Sequence, residues 1–447
     1  MTPCSSQLRF GFLGGREVVG QFDGGRLSSD GGLALLAQVD RRYGLTARLV
    51  GCLQERRQTA KVRQPLLDLL RQRVYQIACG YADGNDADTL AADPLFKVAL
   101  GRCPESDPDL ASQPTLSRFE NAVSRQELYR LSAAVVDFFI AQQRVVPQQI
   151  VLDLDATDDP THGQQELAFY HGYYEEHCYL PLLIFAQVDG GEHQLLAAVL
   201  RPGNVHAGHR SAALLQRLVA RLRAAWPQVS ILVRGDSGEA LPEVYDWCEA
   251  QADVDYLIGL PRNRRLQALA EPLLQAARDE HQQRQRKVRD FHEVRYAADS
   301  WPHSRRVIVK AEVTAQGDNP RFLVTSCADR TPEELYGLYA ARGEVENRIK
   351  ELKRDLQADR TSCHRFTANQ FRLLLHAIAY VLLTLLRALL AGTELARAQV
   401  STLQLRVLKV GVRVQQTARK VWLHWASGYP LQDLWLTVGR HLATGPP

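Results

Sequence analysis

The hydrophobic pattern of this chain changes close to residue 147, and that change limits the folds available to it. Before this point, apolar residues recur at helical spacing in segments that are separated by polar turns. After it, most apolar runs are short and have strand character, with one amphipathic helical segment among them. In chain order these segments are IVLDLDAT, LPLLIFAQVDGG, HQLLAAVLRPG, SAALLQRLVARLRAAW and VSILVRGDSG. Three strands, a helix and a further strand make an α/β order.

The length of 447 residues exceeds that of one ordinary domain, so we divide the chain at its changes in pattern. We predict an N-terminal helical domain over residues 1–146 and an α/β domain over 147–390. Valines and aromatic residues alternate with polar residues in much of the stretch from about 262 to 330, which we interpret as a β-rich insertion in the α/β domain. Residues 391–447 are predicted to form a basic helical region.

The charge of the chain is low overall but unevenly distributed. A hydrophobic fraction of 45% and a charged fraction of 23% are typical of a folded protein, and the formal net charge is only +4. Residues 262–310 nevertheless carry twelve Lys or Arg against six Asp or Glu, and residues 391–447 carry seven against two. Such local excess is what phosphate binding needs, although a solvated surface accounts for it equally well.

The sequence gives no sign of a secretory signal or a membrane span. The opening residues, MTPCSSQLRF, contain no apolar signal region. The most apolar stretch, residues 373–386, is short for a membrane span, and we predict that it forms a buried core helix. The eight cysteines include no CxxC pair, which argues against a zinc knuckle and a disulfide framework. We therefore expect a cytoplasmic protein without a membrane partner.

Two of the predicted strands place acids where an α/β sheet gathers its ligands. In IVLDLDAT, alternation puts Asp153 and Asp155 on one face, opposite to the leucine and isoleucine side chains. VSILVRGDSG places Asp236 at the carboxyl end of a buried strand, the edge at which open α/β sheets bind ligands. These acids are also typical of polar turns that follow strands, so both interpretations stay open at this level.

A third acid lies on a predicted long helix, TPEELYGLYAARGEVENRIKELKRDL. At about 100° per residue, four of its polar side chains fall within an arc of about 60°: Tyr339, Arg342, Glu346 and Lys353. A separate apolar stripe can pack on the core, and it consists of Leu338, Val345, Ile349, Leu352 and Leu356. The helix thus presents one carboxylate among two cations and a phenol, although a solvated charged face has the same composition.

Convergence of the three acids would create a site for divalent cations. All-oxygen sites that keep open water positions suit Mg²⁺. Three carboxylates that hold two such ions form the arrangement needed for two-metal phosphoryl transfer. The order of the acids along the chain permits this convergence but does not establish it.

With these residues identified, the chain resembles the bacterial insertion-sequence DDE transposases, and among them the insertion-sequence 1380 family. Tyr339-x2-Arg342-x3-Glu346-x6-Lys353 matches the Y-R-E-K signature of the wider insertion-sequence 4 group at every position. The resemblance to the narrower family spans nearly the whole chain, through SSDGGLALLAQVD, GYADGNDADTLAADPLFK, LASQPTLSRFEN, LDLDATDDPTHGQQE, LRPGN and CHRFTANQFRLLLHAIAY.

The resemblance implies an RNase H-like catalytic core, interrupted by the β-rich insertion. Its three catalytic acids would be Asp155, Asp236 and Glu346, which would hold two Mg²⁺ or Mn²⁺ ions. Asp155 matches the first acid because it stands in a D-x-T-like context, and Asp153 is the alternative on the same face.

The resemblance also implies DNA contacts. Tyr339, Arg342 and Lys353 would bind DNA phosphates. Trp301 in the basic insertion is a candidate for stacking on a flipped base, with packing inside its own hairpin as the alternative. One departure from the family pattern is Glu239, where an aromatic residue is expected after Asp-Ser-Gly. An extra acid there could disturb metal or DNA contacts.

The implied reaction is hydrolytic nicking at the ends of an element, strand transfer to the opposite strand to form a hairpin, hairpin opening, and insertion into target DNA. The implied partners are double-stranded DNA, as terminal inverted repeats and target, and further copies of the chain in a homodimer or larger synaptic complex. The N-terminal helical domain is the candidate for reading the repeats. Two other functions fit the same residues: an RNase H-like nuclease or resolvase, and a domesticated DNA-binding protein without catalytic activity.

Overall fold

The computed structural model describes residues 7–443, which divide into two compact units. One unit contains the residues up to Phe119 together with those from Leu382 onward, and the other is Glu120–Val381. Helices and a mixed sheet are both present, so the predicted α/β class is confirmed at this level.

The N-terminal region opens with strands, where the sequence predicted mostly helices. β1 (Gln7–Leu13) and β2 (Arg16–Gln21) form an antiparallel hairpin, and the short β3 (Leu27–Ser28) follows. The alternation of apolar residues in QLRFGFL is the strand signal that the helical prediction missed. The helices that follow are α1 (Leu33–Tyr43), α2 (Leu45–Leu49), α3 (Leu66–Ala78), α4 (Asp86–Leu90), α5 (Pro94–Ala99) and α6 (Gln113–Asn121).

The change in sequence pattern near residue 147 coincides with a change from a long helix to a strand. Helix α7 (Arg125–Gln142) begins at a capping box in which Ser124 and Glu127 satisfy each other's backbone N–H groups. The strands and helices after it are β4 (Gln149–Ala156), β5 (Asp159–Pro160), β6 (Phe169–His171), β7 (Glu176–Tyr179), β8 (Leu182–Val188), β9 (His193–Val199), α8 (Ser211–Ala225), β10 (Ser230–Gly235), α9 (Pro242–Glu249) and β11 (Val254–Leu260). Then come α10 (Arg264–Arg284), β12 (Val288–Tyr296), β13 (Arg305–Thr314), β14 (Gly317–Asp318), β15 (Arg321–Thr325), α11 (Pro332–Ala340), α12 (Gly343–Lys350) and α13 (Phe366–Ala388).

A nine-stranded mixed sheet organises the second unit. Its order is β12-β13-β15-β11-β10-β4-β8-β9, with β14 paired to β13. Strands β4, β10 and β11 run parallel to one another, and the other neighbouring strands pair antiparallel. The stretch predicted as a β-rich insertion begins with helix α10, and its longer strands extend this same sheet. The two strands that carry the predicted acids, β4 and β10, are direct neighbours.

Alternation along β4 determines which side chains reach each face of the sheet. Ile150, Leu152 and Leu154 join a large buried cluster with side chains of α7, α8, α9 and α10. Val151 belongs to a smaller cluster on the other face, together with Leu335 of α11. The two acids of β4 lie on the α11 face, as the alternation predicts.

The C-terminal region contains two strands, which corrects the prediction of a helical region. Val412 and Val414 are buried whereas Arg413 between them is exposed, and this period-two pattern is that of a strand. The strand that contains them pairs with a second C-terminal strand and with β3. The C-terminal elements are α14 (Val400–Leu403), β16 (Val412–Gln416), β17 (Val421–Trp425) and α15 (Gln432–Ala443).

Helix α13 contains the most apolar stretch of the chain. It is the one helix within residues 7–443 that is long and apolar enough to cross a bilayer. However, 78% of its most apolar window is buried inside the structure. Such burial is typical of a core helix and confirms the prediction made for residues 373–386.

Candidate active site

The carboxyl ends of β4 and β10 bring two of the predicted acids together. Gly235 at the end of β10 pairs with Leu154 of β4 in parallel register. The next residue on each strand is an acid, so Asp155 and Asp236 lie side by side at one edge of the sheet. Asp236 also accepts a hydrogen bond from the N–H of Gly238 at 2.8 Å and caps the short 3₁₀ turn Ser237–Glu239.

Asp153 has a different environment although it shares its face with Asp155. Both of its carboxylate oxygens accept hydrogen bonds from Arg234, each at 2.7 Å, and both side chains are almost completely buried. His193 Nε2 lies 3.3 Å from the same carboxylate. Because removal of Asp153 from this pair would leave a buried guanidinium unpaired, the residue is held in a structural role. The geometry therefore favours Asp155 over Asp153 as the accessible acid.

Asp155 is the centre of the acidic cluster. Its Oδ2 accepts a hydrogen bond from Arg342 Nη2 at 2.6 Å, and 13% of its side chain is exposed. Burial raises the pKa of Asp155 to about 7, against the opposing effect of Arg342 and with the further help of the charges of Asp236 and Glu346. The three predicted acids thus share one electrostatic environment.

The predicted long helix that carries Glu346 is interrupted. Helix α11 ends at Ala340, α12 begins at Gly343, and a π-helical turn follows at Glu351–Asp355. At the interruption, Arg342 N donates to the carbonyl of Tyr339, three residues back, at 3.0 Å. Bonds to the third preceding residue tighten a helix locally, so the helical hydrogen bonding changes at Arg342. Spacing alone could not show this, because the residues on both sides keep helical backbone angles.

The apolar stripe of this segment packs as the spacing predicts. Leu338 is partly buried against the α11 face of the sheet, and Val345 and Ile349 of the next helix are buried. Leu352 and Leu356 are also buried, each with 1% of its surface exposed. The interruption therefore leaves the apolar side of the segment on the core.

All four residues of the Y-R-E-K signature lie near the carboxyl ends of β4 and β10. Tyr339 reaches over Gly259 at the end of β11, since a Cβ on that glycine would lie 2.6 Å from the phenol oxygen and 3.1 Å from Ser237 N. Arg342 lies between two acids, with Nη2 2.6 Å from Asp155 and Nη1 3.7 Å from Glu346.

Lys353 completes the signature further along the same edge. Its Nζ donates to Asp158 Oδ1 at 2.8 Å and to Thr157 Oγ1 at 3.2 Å. Both residues directly follow β4, two and three positions beyond Asp155. Arg342 and Lys353, which the sequence predicts to contact DNA phosphates, are thus bonded to carboxylates at the carboxyl end of β4.

Glu239 is the last residue of the 3₁₀ turn that Asp236 caps. It is 1% exposed, its Cβ and Cγ pack over Gly235, and neither carboxyl oxygen has a hydrogen-bond partner of good geometry within the described part of the chain. Burial raises the pKa of Glu239 to about 7, and the proximity of Ser211 and Arg201 only partly opposes this. The carboxyl group that replaces an expected aromatic is therefore part of the protein interior.

Trp301 lies inside an aromatic cluster. Its ring meets those of Tyr245 and Tyr296 edge to face, with centroids 5.4 Å apart in each case. The guanidinium of Arg305 lies 5.1 Å from its centroid, and the side chain packs on the large cluster of the other sheet face. These contacts correspond to the alternative in which Trp301 packs inside the protein.

Arg234 and His193 were not predicted from the sequence as partners of Asp153. The register that pairs β10 with β4 places Arg234 beside this acid.

The donors at the edge are suited to a hard cation, although they do not form a closed cage. Within residues 7–443, no three His, Cys, Asp or Glu side chains converge tightly enough to ligate one ion. Asp155, Asp236 and Glu346 offer only oxygen, the donor that Mg²⁺ and Mn²⁺ prefer. Arg342 already places a cation between two of these acids. The oxygen donors of these three carboxylates therefore fit a divalent ion in their chemistry.

Comparison with known proteins adds the family. No curated protein matches this chain. One family model, described as transposase DDE domain group 1, matches residues 10–446. Members of that family move DNA segments, bind DNA and generally use divalent metals. Since the match extends over nearly all of the 447 residues, the chain belongs to the DDE transposases.

Proposed function

We propose that this chain excises and inserts an insertion-sequence element by metal-dependent cleavage and joining of DNA strands, with Asp155, Asp236 and Glu346 as the catalytic acids. The observation that carries the proposal is the parallel pairing of β4 with β10, which sets Asp155 beside Asp236. Arg342 connects Glu346 to this pair through contacts of 2.6 Å to Asp155 and 3.7 Å to Glu346.

An RNase H-like core is the fold that we propose for the catalytic part. The strand order β9-β8-β4-β10-β11 supports it, because an antiparallel meander is followed by two strands parallel to the first. We place the chain in the insertion-sequence 1380 branch on the sequence motifs. The four signature residues near one edge of the sheet support the wider Y-R-E-K grouping.

The proposed division of labour follows the sequence. Residues 1–146 would read the terminal repeats, 147–390 would carry catalysis, and 391–447 would add basic surface. The compact units divide the chain at Phe119 and Leu382 instead, and α7 contacts β9 of the catalytic sheet. We therefore assign α7 to the support of the catalytic sheet and the preceding helices to DNA-end recognition.

The three acids would hold two Mg²⁺ or Mn²⁺ ions, which would activate the attacking oxygen and stabilise the leaving oxygen of each phosphoryl transfer. Arg342 would exchange Asp155 for a DNA phosphate, and its Nε, which is buried without a partner in the described structure, supplies a further donor. Lys353 would exchange Asp158 for the neighbouring phosphate in the same way. The phenol of Tyr339 would donate a hydrogen bond to a DNA phosphate next to Asp236.

These contacts hold a scissile phosphate against the acids through each step. Water would first attack the phosphorus at the end of the element and release a 3′-hydroxyl group. That hydroxyl would attack the opposite strand and close a hairpin, with departure of the flanking strand's oxygen. Water would then hydrolyse the hairpin and release the 3′-hydroxyl again. Attack of this hydroxyl on a target phosphate, with departure of the target strand's 3′-oxygen, would complete insertion. Two ends must be joined to one target, so we propose that a homodimer or larger assembly carries out the reaction.

The test uses the full-length protein and linear duplexes that contain the sequences flanking the gene in its genome. We expect nicking and then joining of a 3′-hydroxyl to a target plasmid, both dependent on Mg²⁺ or Mn²⁺. Asp155→Asn, Asp236→Asn and Glu346→Gln should each lower the nicking rate at least 100-fold, by the general scale for loss of a charge-stabilising group (on the order of 10²–10³). Glu344→Gln is the matched control, because Glu344 is an exposed acid on the same helix.

Three outcomes distinguish the competing functions. Nicking without any joining would identify a nuclease or resolvase. Binding of the ends with no metal-dependent cleavage, unchanged by the three substitutions, would identify a DNA-binding protein without catalytic activity. Equal losses in the Glu344→Gln control and in Glu346→Gln would contradict the assignment of Glu346.

A further inference from the structure

A short aromatic hairpin stands next to the acids. Strands β6 and β7 pair antiparallel, and the turn between them has the sequence GYYE. Its aromatic side chains are unusually exposed: Phe169 is 38% exposed, Tyr170 55% and Tyr173 83%. Soluble proteins rarely expose several large rings in one place without a binding partner. We call residues 169–177 the aromatic hairpin.

The rings of the aromatic hairpin are arranged in contact with one another. Tyr174 meets Tyr173 edge to face with centroids 5.0 Å apart, and its ring centroid also lies 5.0 Å from that of His171. Tyr170 meets His177 at 5.7 Å. Backbone bonds hold the turn, since Glu175 N donates to the carbonyl of His171 at 2.8 Å. The exposed rings therefore form a defined surface.

The base of the aromatic hairpin is fixed to the strand that carries Asp155. β5 follows β4 after two residues, and it pairs with β7, with Asp159 opposite Tyr179. Asp159 is buried and accepts hydrogen bonds from Thr361 Oγ1 at 2.8 and 3.0 Å. The loop after β9 packs on the other side, where a Cβ on Gly203 would lie only 2.0 Å from the carbonyl oxygen of Cys178. The hairpin is thus anchored four residues beyond Asp155.

The position of Tyr174 connects the hairpin with the acids. Burial raises the pKa of the Tyr174 phenol, and the charges of Asp158, Asp155 and Asp236 add to that effect. The half-buried ring therefore lies within electrostatic reach of the carboxylates. The more exposed ring of Tyr173 contacts it from the solvent side.

Unpaired nucleic-acid bases match this surface in chemistry. Tyrosine and histidine rings stack on bases of any sequence, and phosphates of the same strand need cations nearby. Lys353 is such a cation, bonded to Asp158, one residue before β5. A purely structural role explains Tyr170 and Tyr173 less well, because rings that are 55% and 83% exposed bury little surface.

We propose that the aromatic hairpin is a stacking surface for unpaired bases at a DNA end whose phosphate lies at Asp155 and Asp236. This proposal rests on the proposed function, since it takes the acids as the place of strand cleavage. It assigns base stacking to Tyr170, Tyr173 and Tyr174, and it leaves Trp301 as a packing residue.

The test measures stacking separately from cleavage. The probe is a short duplex with a single-stranded extension that contains the fluorescent base 2-aminopurine, whose emission falls when it stacks on a ring. With full-length protein in metal-free buffer, we expect quenching of the extension. Tyr173→Ala should abolish most of it and weaken binding of the extended duplex by about tenfold, the scale of one lost base–aromatic stack. Tyr173→Phe and Tyr173→Trp should retain both effects.

The control is Tyr129→Ala, which removes another exposed tyrosine, 57% exposed, from helix α7. It should leave quenching and affinity unchanged. Far-ultraviolet circular dichroism of every variant reports whether the fold is kept. Quenching that is equal in wild type, Tyr173→Ala and Tyr129→Ala would overturn the proposal. Nicking of a blunt duplex end with Mg²⁺ tests the proposed function independently, because a folded protein that stacks bases but never nicks would contradict that function alone.

Discussion

Asp153 and Asp155 lie on one face of one strand, yet their partners give them different chemistry. Asp153 is fully buried and bound by two hydrogen bonds to Arg234. Asp155 retains an exposed edge and has a single bond from Arg342, a side chain that also approaches Glu346. The first acid thus connects β4 with β10, and the second is the more accessible of the two.

Glu239 supplies a prediction about pH. Its pKa is raised from 4.5 to about 7, so the folded state favours the neutral form. Between these two values the unfolded chain loses the proton while the folded protein keeps it, so the contribution of Glu239 to wild-type stability falls as pH rises from about 4.5 to about 7. Glu239→Gln removes this dependence. We expect the variant to gain about 1–3 kcal/mol in free energy of unfolding relative to wild type at pH 8, and little at pH 4.

Urea unfolding in metal-free buffer at the two pH values measures this difference. Glu243→Gln is a suitable control, because Glu243 is an exposed acid in the first turn of α9. A gain for Glu239→Gln that is the same at pH 4 and pH 8 would show that Glu239 does not titrate as its burial requires.

At the scale of single elements, the sequence predicted those features that depend on periodicity. Alternation located β4 and put Asp153 and Asp155 on the correct face, and the apolar stripe placed the Glu346 helix on the core. Features that depend on local hydrogen bonding or on distant partners were not predictable from periodicity. The interruption at Arg342 is a local change in hydrogen bonding, and the C-terminal strand β16 depends on pairing with β3.

The close approach of α11 to β11 gives a prediction about an element. Gly259 of β11 has no room for a side chain, because a Cβ there would lie 2.6 Å from the phenol oxygen of Tyr339 and 3.1 Å from Ser237 N. Gly259→Ala should therefore displace the Tyr339 ring. We expect nicking of a DNA end to fall by about tenfold or more, since small displacements of positioning groups are costly. Gel-based nicking rates on the full-length protein measure this effect.

A glycine on the helix that carries Tyr339 provides the control. Nothing lies within 4 Å of a Cβ built on Gly337 of α11, so Gly337→Ala should leave nicking unchanged. It should also stabilise the helix slightly, because alanine has the higher helix propensity. If Gly259→Ala acts through Tyr339, its effect should not add to that of Tyr339→Ala. Fully additive losses would assign the effect to the backbone near Ser237 instead.

For the whole molecule, the distribution of charge matters more than its sum. The net charge of +4 gives little general attraction to DNA. The basic stretch 262–310 is also largely compensated, because eight of its twelve cations form ion pairs with acids of the protein. This compensation favours a solvated surface over phosphate binding for that stretch. Arg342 and Lys353 are ion-paired as well, but their partners Asp155 and Asp158 lie at the proposed catalytic edge, so these two cations are the better candidates for DNA contacts.

The salt dependence of DNA binding tests this view of the molecule. Each protein cation that neutralises a phosphate contributes about 0.9 to the slope of log K against log salt concentration. We expect Lys353→Ala to reduce the slope by about 1 for a duplex end. Lys287→Ala should leave the slope unchanged, because Lys287 directly precedes β12, an edge strand that three other strands separate from β10. Fluorescence anisotropy over a series of salt concentrations gives both slopes. A reduced slope for Lys287→Ala with no change for Lys353→Ala would move the DNA path from the edge of β4 and β10 to the strands beyond β11.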